Sequence, residues 1–485
     1  MMKFPTVFVL VASFGVGTLS AEPPKSSTVK ISFTREVRPI LQQQCYGCHQ
    51  PAKTNGAYVL TDYKSLMKHG ETAKPSIVPG KPDQSYLMDE IKIEAGKAEM
   101  PKNREPLKQV EIDLIAKWIL EGAADDSPTI STAPEVDADH PPIYAALPVV
   151  TSLAFSPDGT ILAVTGYHEV VLHDGTGEKI LGRLVGLSER VQSLAFSPDG
   201  KSLAVAAGNP GRSGEVQIWD VAKRKLRLSV PAGFDTIYGV SWSPDGTMVA
   251  FGASDNVVRA VEASTGKQVL FMGAHSDWVF GTVFSSDGKH LVSISRDMSM
   301  KLTEVPTQRF VDNVTSITPG ALKGGLMAVA VRPSKETKLA KVPDDTPGAK
   351  AETYDEILCG GSDGKPRLYK MHREAKRVIG DDLNRLKEYP VMAGRISSLQ
   401  FDRSGKKFTA AAGLDGRGTV RIYEVETTKF VEAEGDGAST PAYAVAFHPS
   451  GKSIVAAGFD GKLRLHDAET GKRLREVSAV PLPGK

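Results

Sequence analysis

The 485-residue sequence predicts a multidomain fold, a small all-α domain followed by an all-β seven-bladed propeller. Three observations carry that expectation. Glycine and proline are abundant, at 46 and 31 residues, which favours many short elements joined by turns. From residue 149 onward one pattern recurs seven times. Between residues 28 and 124 the apolar residues instead follow a helical period.

Residues 1–21, MMKFPTVFVLVASFGVGTLSA, combine Lys3, an apolar run and small residues. That is the layout of a secretory signal peptide cleaved near Ala21. An uncleaved anchor is the rival reading, but the run is short and is interrupted by Pro5 and glycines. No later segment approaches ~18 consecutive apolar residues, so no membrane span is expected after cleavage. The expected location is exported, periplasmic or extracytoplasmic. Charge is nearly balanced, with 59 Lys and Arg against 57 Asp and Glu, so nucleic acid is not an expected partner.

The helical domain, 28–124, begins with VRPILQQQCYGC, which sets Val37, Ile40, Leu41, Cys45 and Cys48 on one face. Pro39 falls in the opening turns, where a missing N–H costs little. A second helix is expected around residues 85–93. A third, LKQVEIDLIAKWILEG, aligns Leu107, Val110, Leu114 and Trp118 and stops at Gly122. Residues 125–148, rich in Asp, Ser, Thr and Pro, read as a semi-extended linker.

The repeats fill residues 149–480. VTSLAFSPDGTILAV, VQSLAFSPDGKSLAV and IYGVSWSPDGTMVAF are three copies of one unit. An alternating strand ends at an SPDG turn and a second apolar strand follows. The residues before the turns are Phe155, Phe196, Trp242, Phe284, Val331, Phe401 and Phe447, at intervals of 41, 46, 42, 47, 70 and 46. One such sheet cannot bury both faces, but seven stacked radially can. This part resembles WD40 repeats, whose Trp-Asp position survives as Trp219-Asp220, His173-Asp174 and His466-Asp467. The ring is expected to start with an innermost strand at 150 and end with an outermost strand near 477, without strand exchange.

Within the propeller, Asp255, Asp297, Asp363, Asp415 and Asp460 recur at equivalent turns, which marks them as structural. His275 sits at the Gly-His position of a WD40 repeat and reads as structural too. Cys359 is expected to be an inert thiol on an inner strand. The long insertion at 331–356 reads as a solvated loop or a docking surface. No nucleophile–base set can be assembled, so no catalytic residue is assigned.

The chemistry lies in CYGCH. Cys45, Cys48 and His49 stand at i, i+3 and i+4, so a helix presents all three on one side. That suits covalent haem attachment, with two thioethers and an adjacent imidazole on the iron. Zinc would need a second ligand pair, which is missing nearby. A thioredoxin-like dithiol would need a βαβ context, and a plain disulfide remains compatible with export. For the opposite face of the iron, Met100 stands in the polar loop GKAEMPKNREP, where packing explains a methionine poorly. Met88, Met67 and His69 are the alternatives.

VRPILQQQCYGCH, IVPGKPDQSYL and EMPK followed by EIDLIAKWILEGA together resemble the planctomycete-type cytochrome c domain. That resemblance implies one covalent haem c, attached through Cys45 and Cys48, with His49 as proximal and Met100 as distal ligand. Lys102 stands where the family commonly has a second proline, and it is a rival ligand if deprotonated. The expected protein is a monohaem electron carrier that exchanges electrons with redox partner proteins. The propeller serves it as a partner-binding scaffold, and the whole is less a catalyst than an electron-transfer and binding protein. The rivals are a propeller-based oxidoreductase using the haem domain as electron acceptor, and a haem-containing binding or sensor module.

Overall fold

The computed structural model describes residues 30–482, apart from 51–52, 62, 73, 103, 128–135, 319–321, 334–354, 377, 379 and 436–439. The signal segment at 1–21 and most of the insertion at 331–356 therefore lie outside the described residues.

The N-terminal unit is helical. A short π-helical turn, Phe33–Val37, leads into helix α1, Arg38–Gln44, and then come α2, Tyr63–Leu66, α3, Tyr86–Ile91, and α4, Gln109–Leu120. Pro39 falls in the first turn of α1. The unit is not purely helical, because His49–Gln50 pairs antiparallel with Lys53–Thr54. Its core joins Phe33, Val37, Leu41, Leu66, Ile91, Ile115, Trp118 and Ile119, each at most 1% exposed. The two ends are tied together: Ile31 N–H donates to Glu121 at 2.7 Å, Thr34 N–H to Asp126 at 2.8 Å, and the Tyr63 hydroxyl to the Ala123 carbonyl at 2.7 Å.

Helix α4 departs from the face expected for it. Ile112, Ile115, Trp118 and Ile119 are buried, whereas Val110 is 67% exposed. The helix begins only at Gln109, and its i, i+3, i+7 stripe starts from Ile112; two positions earlier is nearly the opposite side. Leu107 is buried from the preceding loop. Gly122, at φ 99°, ends the helix as expected, with Ala123 N–H bonded back to the Trp118 carbonyl at 2.9 Å.

The C-terminal part consists of seven antiparallel four-stranded units in chain order. The first two merge into one seven-stranded sheet, because Ile180–Phe196 is a single strand that ends one unit and begins the next. The connecting GLSER has neither proline nor an SPDG turn, so the backbone stays extended. All seven repeat anchors, from Phe155 to Phe447, are the last residues of their units' first strands. Neighbouring first strands touch in sequence order, and Ala442–Phe447 of the seventh unit touches Leu153–Phe155 of the first. The seventh unit takes all four strands, Ala442–Phe447 to Arg473–Ser478, from one contiguous stretch, so no strand is exchanged.

Repeated side-chain locks explain the turns. Ser156, Ser197, Ser243 and Ser285 each donate a hydroxyl to the aspartate two residues on, at 2.5–2.7 Å, and the glycine that follows takes a φ of 71–77°. The left-handed backbone there is what SPDG supplies at little steric cost.

Candidate metal centre

Helix α1 ends at Gln44, yet its helical hydrogen bonding runs on through the motif. Cys45 N–H bonds to the Leu41 carbonyl at 2.8 Å, and His49 N–H to the Cys45 carbonyl at 3.1 Å. Cys45, Cys48 and His49 thus share one further helical turn rather than the helix proper. Both cysteines are free thiols. Burial pushes the Cys45 thiol up to about 12, against an opposing pull from Arg104, so it stays protonated and is poorly suited to thiolate redox exchange.

His49 is oriented from behind. Its Nδ1 faces the Tyr58 carbonyl oxygen at 3.3 Å, and the rings of His49 and Tyr58 meet edge to face at 5.9 Å. A carbonyl only accepts, so the proton belongs on Nδ1 and the Nε2 lone pair is the metal-binding one. Tyr58 is itself held by its hydroxyl, which donates to the Leu66 carbonyl at 2.9 Å, and burial raises its pKa. Leu60 N–H bonds to the His49 carbonyl at 2.9 Å, so the segment after the motif folds back over it.

Cys45, Met67, Met88 and Met100 are all partly buried and pack against the same core. Met100 N–H bonds to the Glu90 carbonyl at 2.9 Å, tying its loop to the end of α3. His69 and Lys102 are exposed and do not join this core. The donor set of two thiols, one oriented imidazole and core thioethers is what a c-type haem takes, so these residues fit that group. Among the described residues no three His, Cys, Asp or Glu side chains converge on a metal position, and a zinc site does not assemble around Cys45 and Cys48.

A model of the planctomycete cytochrome C family matches residues 45–104, and WD40 repeat models match 145–176, 179–220, 226–260, 266–303 and 433–467. The chain carries a planctomycete-type cytochrome c domain followed by WD40 repeats. Curated relatives match part of the chain. Actin-interacting protein 1-2 of Arabidopsis thaliana is 32% identical over 32% of this chain and 26% of its own length. Periodic tryptophan protein 2 of the same plant is 21% identical over 53% and 25%. WD repeat and SOCS box-containing protein 1 of Danio rerio is 30% identical over 19% and 22%. The chain thus spans about a quarter of the length of these relatives. Among solved structures, the computationally designed Ika8 protein aligns with a TM-score of 0.48 at 19% identity, over 69% of this chain and 88% of that one.

The WD40 matches fall on the first four units and the seventh. The fifth and sixth keep the strand order, and their third strands end in Tyr369-Lys370 and Tyr423-Glu424; the third and fourth likewise lack Trp-Asp, ending in Val261-Glu262 and Thr303-Glu304. Four of the five recurrent turn aspartates make local bonds of one kind. Asp255, Asp363 and Asp460 accept the N–H two residues on and pair with Arg259, Arg367 and Arg464 respectively. Asp297 does the same for Ser299 N–H and adds His275 Nδ1 at 2.9 Å, while His275 Nε2 meets Ser293 at 2.8 Å. Cys359 lies on the second strand of the fifth unit, an inner strand as expected; it is fully buried, which raises its thiol to about 12.

Tyr58 is the functional residue that sequence reasoning missed. It contributes a backbone carbonyl, and a carbonyl leaves no signature in residue type.

Proposed function

We propose that the protein is an exported, single-haem c-type cytochrome that carries electrons, and that its WD40 repeats form a closed seven-bladed propeller that binds a partner protein. The observation that carries this reading is the shared turn of Cys45, Cys48 and His49, with His49 oriented by the Tyr58 carbonyl. Haem c, when bound, supplies a one-electron couple whose potential follows its axial ligands and burial. Cys45 and Cys48 would anchor it, His49 would hold one side of the iron and Met100 the other. The apolar core around Met100 and Cys45 would keep water from the group. Export, from residues 1–21, would supply the compartment for c-type haem attachment, in which the thioethers take up both thiols that could otherwise pair as a disulfide.

The test is to express the chain with its leader in a host that matures c-type cytochromes, followed by acid–organic extraction and spectroelectrochemical titration. Haem that stays with the polypeptide and one reversible couple are expected. Haem extracted into the organic phase would sink covalent attachment. Met100→Ala is expected to change the reduced spectrum and lower the potential, whereas Met88→Ala leaves both near the parent. The reverse order would move the distal ligand to Met88.

A further inference from the structure

Gly47, the second spacer residue of the haem motif, is buried. What buries it is the other half of the chain. A Cβ placed on Gly47 would lie 2.4 Å from the Ser229 carbonyl oxygen and 3.3 Å from Pro231 Cδ. Both belong to Lys225–Gly233, the outermost strand of the second unit, against which α1 also packs. We propose that this strand is a built-in seat for the haem-bearing turn, so that the cytochrome domain is fixed to one blade instead of swinging on its linker.

Three features of the strand distinguish it as a seat. It is nine residues long, whereas the outer strands of the third to seventh units have three to six. Its centre, Ser229, is 5% exposed, which an edge strand facing water would not be. Pro231 removes an N–H beside the contact, so the edge offers one donor fewer to a foreign strand.

The seat is also stiffened from below. The Ser229 hydroxyl donates to Glu215, which accepts further bonds from Ser188 at 2.6 Å and Gln217 at 2.7 Å. Gln217 in turn accepts from Trp219 Nε1 at 2.8 Å. Glu215, Ser188 and Gln217 are each at most 6% exposed, and a buried network satisfied in this way holds one geometry. The contact to Gly47 is made by backbone on both sides, so only glycine fits without displacement, although C-x-x-C-H attachment itself leaves the spacer free. The inference does not rest on haem being present.

Hydrogen exchange on the full chain tests it, with Gly47→Gln and, on the opposite side, Pro231→Arg. In both variants the amides of 225–233 and of 44–50 should exchange at least tenfold faster together. The amides of Gln268–Met272, the outer strand of the third unit, should keep the parent rates. Covalent haem on a denaturing gel is read in parallel, so that loss of attachment is distinguished from loss of seating. Parent-like rates at both segments in both variants, or acceleration confined to the mutated side, would overturn the proposal.

Discussion

Removing the Asp297 carboxylate separates a structural from a chemical role for the recurrent turn aspartates. Its side chain is 7% exposed and accepts from His275 Nδ1 at 2.9 Å, Ser276 N–H at 3.0 Å and the Ser299 hydroxyl at 2.6 Å. The His275 side chain is fully buried, so Asp297→Ala leaves an imidazole and three further donors, Ser276 N–H, Ser299 N–H and the Ser299 hydroxyl, without this acceptor. Breaking a buried pair from one side costs about 3–5 kcal/mol. The equivalent Asp255 is 44% exposed and pairs with Arg259 at the surface, so Asp255→Ala should cost no more than about 1 kcal/mol. A shift of ~2–4 °C per kcal/mol turns the Asp297 loss into roughly 6–20 °C of melting temperature. Thermal melts by circular dichroism, with urea titrations beside them, read the difference directly. Equal shifts for the two variants would refute the burial argument. A stable Asp297→Ala protein that has lost redox or partner binding would show that the residue is functional instead.

The same carboxylate predicts a pH dependence. Burial alone would raise its pKa, but hydrogen bonds from His275 and Ser299 outweigh this and hold it below the ordinary 3.8. A depressed folded pKa gives stability that is present above 3.8 and lost as the pH falls through the folded value. Melting temperature should therefore drop below about pH 4, and Asp297→Asn should flatten that drop. In the cytochrome domain, Trp118→Ala removes a fully buried ring stacked on Phe33 at 5.3 Å and the donor to the Ala124 carbonyl. A loss of about 3–5 kcal/mol is expected, read as earlier loss of near-ultraviolet dichroism while the WD40 transition stays in place. Tyr144→Phe deletes the 2.8 Å bond to the buried Glu169, which keeps its Arg183 pair, so about 1–2 kcal/mol should be lost in urea titration.

How much of this could be read in the sequence depended on where each signal resides. The seven first strands were legible because Phe155 and its equivalents repeat beside turns that need glycine and proline, a signal carried by residue type. The haem motif was legible for the same reason. The face of α4 was misjudged at Val110, because the helix start sets which residues share a side and Lys108 gives no strong cap signal. There the cap is made by Glu111 accepting Lys108 N–H at 2.8 Å. The fusion of the first two units through Ile180–Phe196 was hidden, since an absent turn is harder to see than a present one. Tyr58 and the Gly47–Ser229 contact were out of reach, because both work through backbone atoms.

Among the described residues the first and last units are linked without a shared strand. Val150 N–H bonds to the Gly458 carbonyl at 2.9 Å, and His173 Nε2 donates to the Ala479 carbonyl at 2.9 Å. Arg475 pairs with Glu178 at 2.8 Å, and Ala479 and Val480, beyond the last strand, are buried with Leu162 and Val164 of the first unit. On the other flank the linker end is pinned, with Tyr144 and Arg183 both on Glu169 and Arg183 also on the Pro142 carbonyl at 2.7 Å. A shared strand would supply one ladder of hydrogen bonds, whereas here a carbonyl pair, an ion pair and an apolar patch do that work. Each contact between the first and last units spans some three hundred residues, as with the 306 between His173 and Ala479, and repays its loop-closure entropy only once the intervening units are in place. The strands of each unit are local and the cytochrome core is local, so both can form before this join. The His173–Ala479 bond is thus one of several long-range contacts, with Val150–Gly458 and Arg475–Glu178, that hold the first and last units together.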